Sequence, residues 1–133
     1  MREPVWIDEP DVHAIHERVL AEHGGAAGLR DQKLLQSALG RPRQHFAYAE
    51  SPTIIEMGAL YAAGIVRNHP FVDGNKRTGF VIGVLFLELN GYAFTATEED
   101  ATQAVLGLAA GTLRETEFAK WLSANCEKRR ARR

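Results

Sequence analysis

The apolar run Phe80-Val-Ile-Gly-Val-Leu-Phe-Leu87 constrains this chain more than any other feature. It sits inside a helix expected from about Asn75 to Leu89, which Asn90-Gly91 ends. A helix that is apolar on every face lies at the centre of a domain and is wrapped by others. The run is far too short to span a bilayer. The wrapping must therefore come from the rest of a 133-residue chain, a length that suits one compact domain.

Helical periodicity runs through nearly all of that remainder. Val12, Ile15, Val19 and Leu20 mark a helix from about Asp8 to His23, which the cluster GGAAG ends. Asp31 begins a short helix carrying Leu34, Leu35, Ala38 and Leu39, closed by Gly40 and Pro42. Ser51 and Pro52 read as N-cap and first helical residue of a helix reaching about Arg67, where Pro70 bars continuation. Thr97 with Asp100 resembles a capping box for a helix through Ala104, Val105 and Leu108, ended by Gly111. A last helix holds Phe118, Trp121 and Leu122. The segment RPRQHFAYAE lies between breakers and reads as a loop or small hairpin near residues 42–49. The expected fold class is all-α, a bundle around a central apolar helix with one small β-hairpin. Neither a repeat nor a linker divides the chain.

Composition narrows the function classes. At 45% apolar and 25% charged residues, the chain can build a core without covalent staples. Its single cysteine, Cys126, excludes an intrachain disulfide and a Cys-rich zinc site, which fits a cytoplasmic location. The N-terminus lacks an apolar signal core, and no membrane contact is expected. A formal net charge of -1 gives no global drive toward nucleic acid, and no specific nucleic-acid contact is expected. The tail EKRRARR holds five cations and one anion. It reads as a disordered basic tail over 127–133, beyond a single domain over 1–126. His13 and His16 have metal-ligand spacing but no evident third ligand, so they read as surface or helix-face histidines. Trp6, Tyr92 and Trp121 read as core or rim aromatics.

Chemistry concentrates in HPFVDGNKRTG, His69 to Gly79. This loop delivers the chain onto the N-terminus of the apolar helix, where backbone N–H groups are unpaired and the dipole end is positive. Gly74 lets an anion approach the backbone closely, which makes a ready phosphate site. Lys76 and Arg77 occupy the first turn, where cations are unfavourable unless a polyanion compensates them. A nucleotide di- or triphosphate is the obvious candidate, met by a point charge and a two-pronged donor. Asp73 is the one carboxylate of the cluster, and beside phosphates it suits Mg²⁺. A neutral imidazole at His69 can take a proton from an attacking hydroxyl. Together these residues suit phosphoryl or nucleotidyl transfer to a protein hydroxyl, driven by positioning and charge neutralisation.

The same motif resembles the signature of the Fic/Doc (Fido) superfamily, HPFx(D/E)GN(G/K)R, at every specified position. GLRDQKLLQSALGRP, Asn68, FLELNGY and AAGTLRETEFAKWL are similar to the death-on-curing (Doc) branch, so the resemblance covers roughly residues 5 to 125. It implies a Fido-type helical bundle and a toxin of a toxin–antitoxin system that uses ATP and Mg²⁺. By position, His69 matches the general base and Asp73 the Mg²⁺ ligand. Gly74, Asn75 and Lys76 match the anion-binding turn, Arg77 the phosphate-binding arginine, and Phe71 the ring that anchors the loop. A flap before the motif docks the target as an added strand in that fold. Arg43, Gln44, His45, Phe46, Ala47 and Tyr48 sit where it belongs.

Two departures separate this chain from adenylylating Fic enzymes. Those enzymes have Gly where this chain has Lys76, and a second arginine where it has Phe80. The lysine form is similar to Doc toxins, which transfer the γ-phosphate of ATP. The resemblance thus implies a protein Ser/Thr kinase acting on elongation factor Tu, with adenylyl transfer and a non-catalytic nucleotide-binding module as alternatives. It also implies an antitoxin whose C-terminal segment folds as a helix into an exposed apolar groove lined partly by the first helix. An internal inhibitory helix of the pattern (S/T)xxxE(G/N) is not expected. Its nearest match, Ser123 to Glu127, fails at the final position.

Overall fold

The computed structural model describes residues 1–129. Six helices and one short ladder follow in order: α1 (Glu9–His23), α2 (Gln32–Tyr48), α3 (Ile54–Asn68), α4 (Asn75–Leu89), β1 (Tyr92–Phe94), α5 (Glu98–Ala110), α6 (Glu115–Ala124) and β2 (Cys126–Lys128). This is the mostly helical fold expected from the sequence, with a small two-stranded sheet.

The central helix is α3 rather than α4. Met57, Tyr61 and Ile65 turn to one side and join Ile7, Val12, Leu35, Ile82 and Phe86 in a buried cluster. Ala59, Ala62, Ala63 and Val66 turn to the other side and meet Leu108, Phe118 and Leu122. The helix therefore separates two halves of the core and is buried on both. Its small residues permit this. A Cβ at Gly83 of α4 would lie 3.0 Å from both Gly58 O and the Ala62 Cβ, so the two helices pack almost backbone to backbone. The apolar run of α4 keeps one face less covered, and Val81 is 39% exposed.

The hairpin expected near residues 42–49 is not there. Gly40 and Pro42 do not stop α2, which continues as helix to Tyr48 with Pro42 inside it. Tertiary contacts outweigh the breakers. Pro42 is buried, Phe46 packs edge-on against Trp6 at 5.7 Å, and Arg43 pairs with Asp8 at 2.6 Å. The two strands form elsewhere, with Tyr92 opposite Lys128 and Phe94 opposite Cys126. Glu127 and Lys128, expected in the free tail, are thus paired, and the Arg129 N–H donates to Gly91 O at 2.8 Å. Residues 130–133 of that tail lie outside the described residues.

Helices α2 and α3 run antiparallel. Asn68 Nδ2 donates to Leu34 O at one end, and His45 meets Glu56 at 3.2 Å near the other. From Glu56 to Asn68 the axis advances about 18 Å at 1.5 Å per residue. Arg43 to Tyr48 therefore lie at the opposite pole from His69.

Candidate active site

The loop between α3 and α4 is held from inside. Phe71 is buried, and its ring stacks on His16 with centroids 3.8 Å apart. Asn75 closes the loop on itself. Its Oδ1 accepts from Phe71 N at 2.9 Å, and its Nδ2 donates to Phe71 O at 2.9 Å. The Asn75 side chain is therefore committed to the loop, and only its backbone N–H is left for an anion. Gly74 caps α4 with φ 79°, a left-handed conformation that glycine adopts without penalty.

His16, read from sequence as a helix-face histidine, is a buried part of this framework. Its Nε2–H donates to the carbonyl of Asp73 at 2.8 Å. A signal was present, because Val12, His16 and Val19 share the buried face of α1 at spacings of four and three.

The glycine-rich turn after α1 orients the Asp73 side chain. Asp73 Oδ2 accepts from Ala26 N at 3.2 Å, and Oδ1 accepts from Gly74 N at 2.9 Å. The Ala26 amide, then the Gly74 amide, hold the Asp73 carboxyl below the usual aspartate range. Gly25, at φ +123°, passes so close that a Cβ there would lie 2.9 Å from Asp73 Oδ2. The outer side of the loop is paired as well. Leu29 bridges Phe71, and Val72 N donates to Gly28 O at 3.0 Å. Leu29 thus makes an isolated antiparallel bridge beside the loop, on a different segment from residues 43–48, which the sequence reading gave to a docking flap.

The loop opens into a cavity of about 400 Å³. His69, Asp73, Lys76 and Arg77 line it together, with His23 and Gly25 on the wall formed by the end of α1. Arg77 Nη1 lies 3.4 Å from His23 Nε2. No hydrogen bond among the described residues uses the N–H of Asn75, Lys76 or Arg77, as expected for the first turn of a helix. The volume falls in the range of small-ligand sites. Free amides, a dipole end and two cations suit a polyphosphate. No cluster of three or more His, Cys, Asp or Glu side chains occurs among the described residues. One ionised carboxylate beside a phosphate cradle nonetheless fits Mg²⁺, which takes few protein ligands and shares phosphate oxygens.

A second, apolar groove of about 370 Å³ runs between α1 and α4. Ile15 and Val19 line one side, and Phe80, Val81, Val84 and Leu85 the other. Val19 borders both the groove and the cavity. Phe80 thus belongs to the groove rather than to the phosphate cradle. Glu127 is strand-paired with Ala93 just past the far end of α4, so the Ser123–Glu127 match brings no carboxylate to the cradle.

Comparison with known proteins agrees with this geometry. The Fic/DOC family model matches residues 6–87. The protein kinase doc of Escherichia phage P1 is 31% identical over 116 residues, covering 87% of this chain and 91% of that protein. Toxin Doc of Mycolicibacterium smegmatis is 35% identical over 74 residues, covering 55% of this chain and 57% of that one. With a family model that spans more than half of the chain and a relative 31% identical over most of it, this protein belongs to the Fic/DOC family.

Proposed function

We propose that this protein is a Doc-type toxin that phosphorylates a Ser or Thr hydroxyl of a translation factor, elongation factor Tu, using Mg-ATP. The observation that carries this reading is the convergence of His69, Asp73, Lys76 and Arg77 on one cavity at the N-terminus of α4. The polyphosphate lies against the free amides of the first turn, with Lys76 and Arg77 neutralising its charge. Bound at Asp73, Mg²⁺ supplies further neutralisation of the phosphate oxygens. The target oxygen bonds to the γ-phosphorus as the bond to the β–γ bridging oxygen breaks. ADP leaves with that electron pair, and the hydroxyl proton passes to the His69 imidazole. Lys76, on the exposed first turn, adds charge where adenylylating relatives have glycine, which favours transfer of the terminal phosphate over transfer of AMP.

The target segment docks along the stretch from Gly25 to Leu29, which borders His69 and Asp73. Leu29 and Val72 are exposed there, offering an apolar lip. The antitoxin places an amphipathic helix in the groove between α1 and α4, covering Val81 and Val84. Because Val19 borders both spaces, an occupant of the groove ends beside the nucleotide.

A cell-free bacterial translation reaction tests the proposal. Added wild-type protein should stop incorporation of labelled amino acid, and His69→Ala protein should not. If both variants leave translation untouched at concentrations that saturate the factor, the proposed target is wrong. If both arrest it equally, catalysis is not the cause.

A further inference from the structure

His69 sits in a backbone conformation that two steric rules oppose. It lies at φ 54°, ψ 53°, in the left-handed region. That region is disfavoured for any residue with a Cβ. A residue before proline is also pushed toward extended backbone, and Pro70 follows. Among the described residues His69 is the one non-glycine with positive φ. Such conformations persist where the surroundings over-determine them, and they gather at functional sites.

Much of that restraint comes from one residue. Arg30 Nε donates to His69 O at 2.7 Å, and Arg30 Nη2 donates to Asn68 O at 3.0 Å. The Arg30 backbone N–H donates to Pro70 O at 2.6 Å. Three successive carbonyls, those of Asn68, His69 and Pro70, are therefore held from a single position. Two of them belong to the end of α3, where the dipole is negative and a guanidinium is favourable. The planar fork of arginine spans both carbonyls at fixed angles, which the single ammonium of lysine cannot do.

We infer that Arg30 is a positioning residue for His69. Its guanidinium fixes the left-handed peptide, and the peptide fixes where the imidazole enters the cavity. Arg30 acts through the His69 carbonyl, and its side chain does not line the cavity. The inference rests on the reading of His69 as the base that receives the target proton.

Arg30→Ala, Arg30→Gln and Arg30→Lys separate positioning from simple capping. Each variant is assayed for Mg-ADP affinity, for kcat and KM of phosphoryl transfer, and for the His69 ring signals by NMR. Arg30→Ala should lower kcat about 10- to 100-fold, the scale of a small misplacement of a reacting group. KM and Mg-ADP affinity should stay near wild type. The ring signals of His69 should be a single set in the wild type and should split or broaden in the variant. Arg30→Lys should recover part of kcat, and Arg30→Gln less. Should Arg30→Ala fail to fold, the Lys and Gln variants carry the comparison. Wild-type kcat and unchanged His69 signals in the variants would overturn the inference. So would a loss of kcat that follows the unfolded fraction alone. If the wild-type protein transfers no phosphate, the kinase reading fails separately, and the ring signals still decide whether Arg30 positions His69.

Discussion

At the scale of single residues, this site separates side chains that face the cavity from side chains that hold the loop. His69, Lys76 and Arg77 face the cavity, whereas Asn75, Phe71 and His16 face inward and keep the loop in shape. Replacing His69 by Ala should lower transfer roughly 10²- to 10⁴-fold. Nucleotide affinity should change little, which calorimetry with Mg-ADP checks. Asn75→Ala should act in the opposite way. It strands a buried N–H and a buried C=O of Phe71, and should reduce stability by about 1–3 kcal/mol, read from the denaturation midpoint. Asp73 makes a pH prediction. Its carboxyl is depressed in the folded state by the Ala26 amide, then the Gly74 amide. The stabilisation it gives is therefore complete above the ordinary aspartate range and is lost as pH falls through the lower folded value. Protection of the Ala26 and Gly74 amides, taken relative to their intrinsic exchange rates, should hold at neutral pH and fall only in acid below that range. Loss of that protection near pH 6 would contradict the assignment.

At the scale of elements, the sequence was legible where a helix carried its own caps. The Asn75–Leu89 bounds of α4 agree with the expected ones, Thr97 caps α5 by accepting from Asp100 N, and α1 follows Asp8 as its N-cap. It was misleading where packing overrode a breaker. Gly40 and Pro42 read as an end, yet α2 passes through both because its far half is fastened to Trp6, Asp8 and Glu56. At the start of α3, Ser51 and Pro52 were read as N-cap and first helical residue, but Thr53 is the N-cap, it forms a capping box with Glu56, and the helix begins at Ile54. The role of α3 as central helix was obscured because α4 carries the run of large apolar side chains, whereas the middle of α3 is rich in alanine and glycine. Those small residues are what bring α4 close. Gly83→Val should therefore cost about 1–3 kcal/mol by overpacking, measurable as a lower denaturation midpoint. The burial of His16 was legible in its spacing with Val12 and Val19, but the carbonyls that His16 and Arg30 hold were not, because each lies across a long sequence separation.

At the scale of the whole molecule, the two poles differ. One pole carries the loop, the cavity and the Gly25–Leu29 segment, and the other carries the β1–β2 ladder and the end of α2. His69, Asp73, Lys76 and Arg77 line one cavity, while the hairpin expected near residues 42–49 is replaced by the end of α2 at the far pole. The α1–α4 groove joins the active pole through Val19. Val81→Glu places a charge on the exposed apolar side of that groove. It should abolish binding of an antitoxin helix while leaving phosphoryl transfer intact without antitoxin, measured by peptide titration alongside the transfer assay. Among the described residues no helix is long and apolar enough to cross a membrane.

The most direct measurement uses purified elongation factor Tu, Mg²⁺ and ATP labelled at either the α- or the γ-phosphate. Label on the factor from γ-labelled ATP alone is the predicted result. Label from α-labelled ATP would contradict the account, make the protein an adenylyltransferase, and remove the meaning given to Lys76.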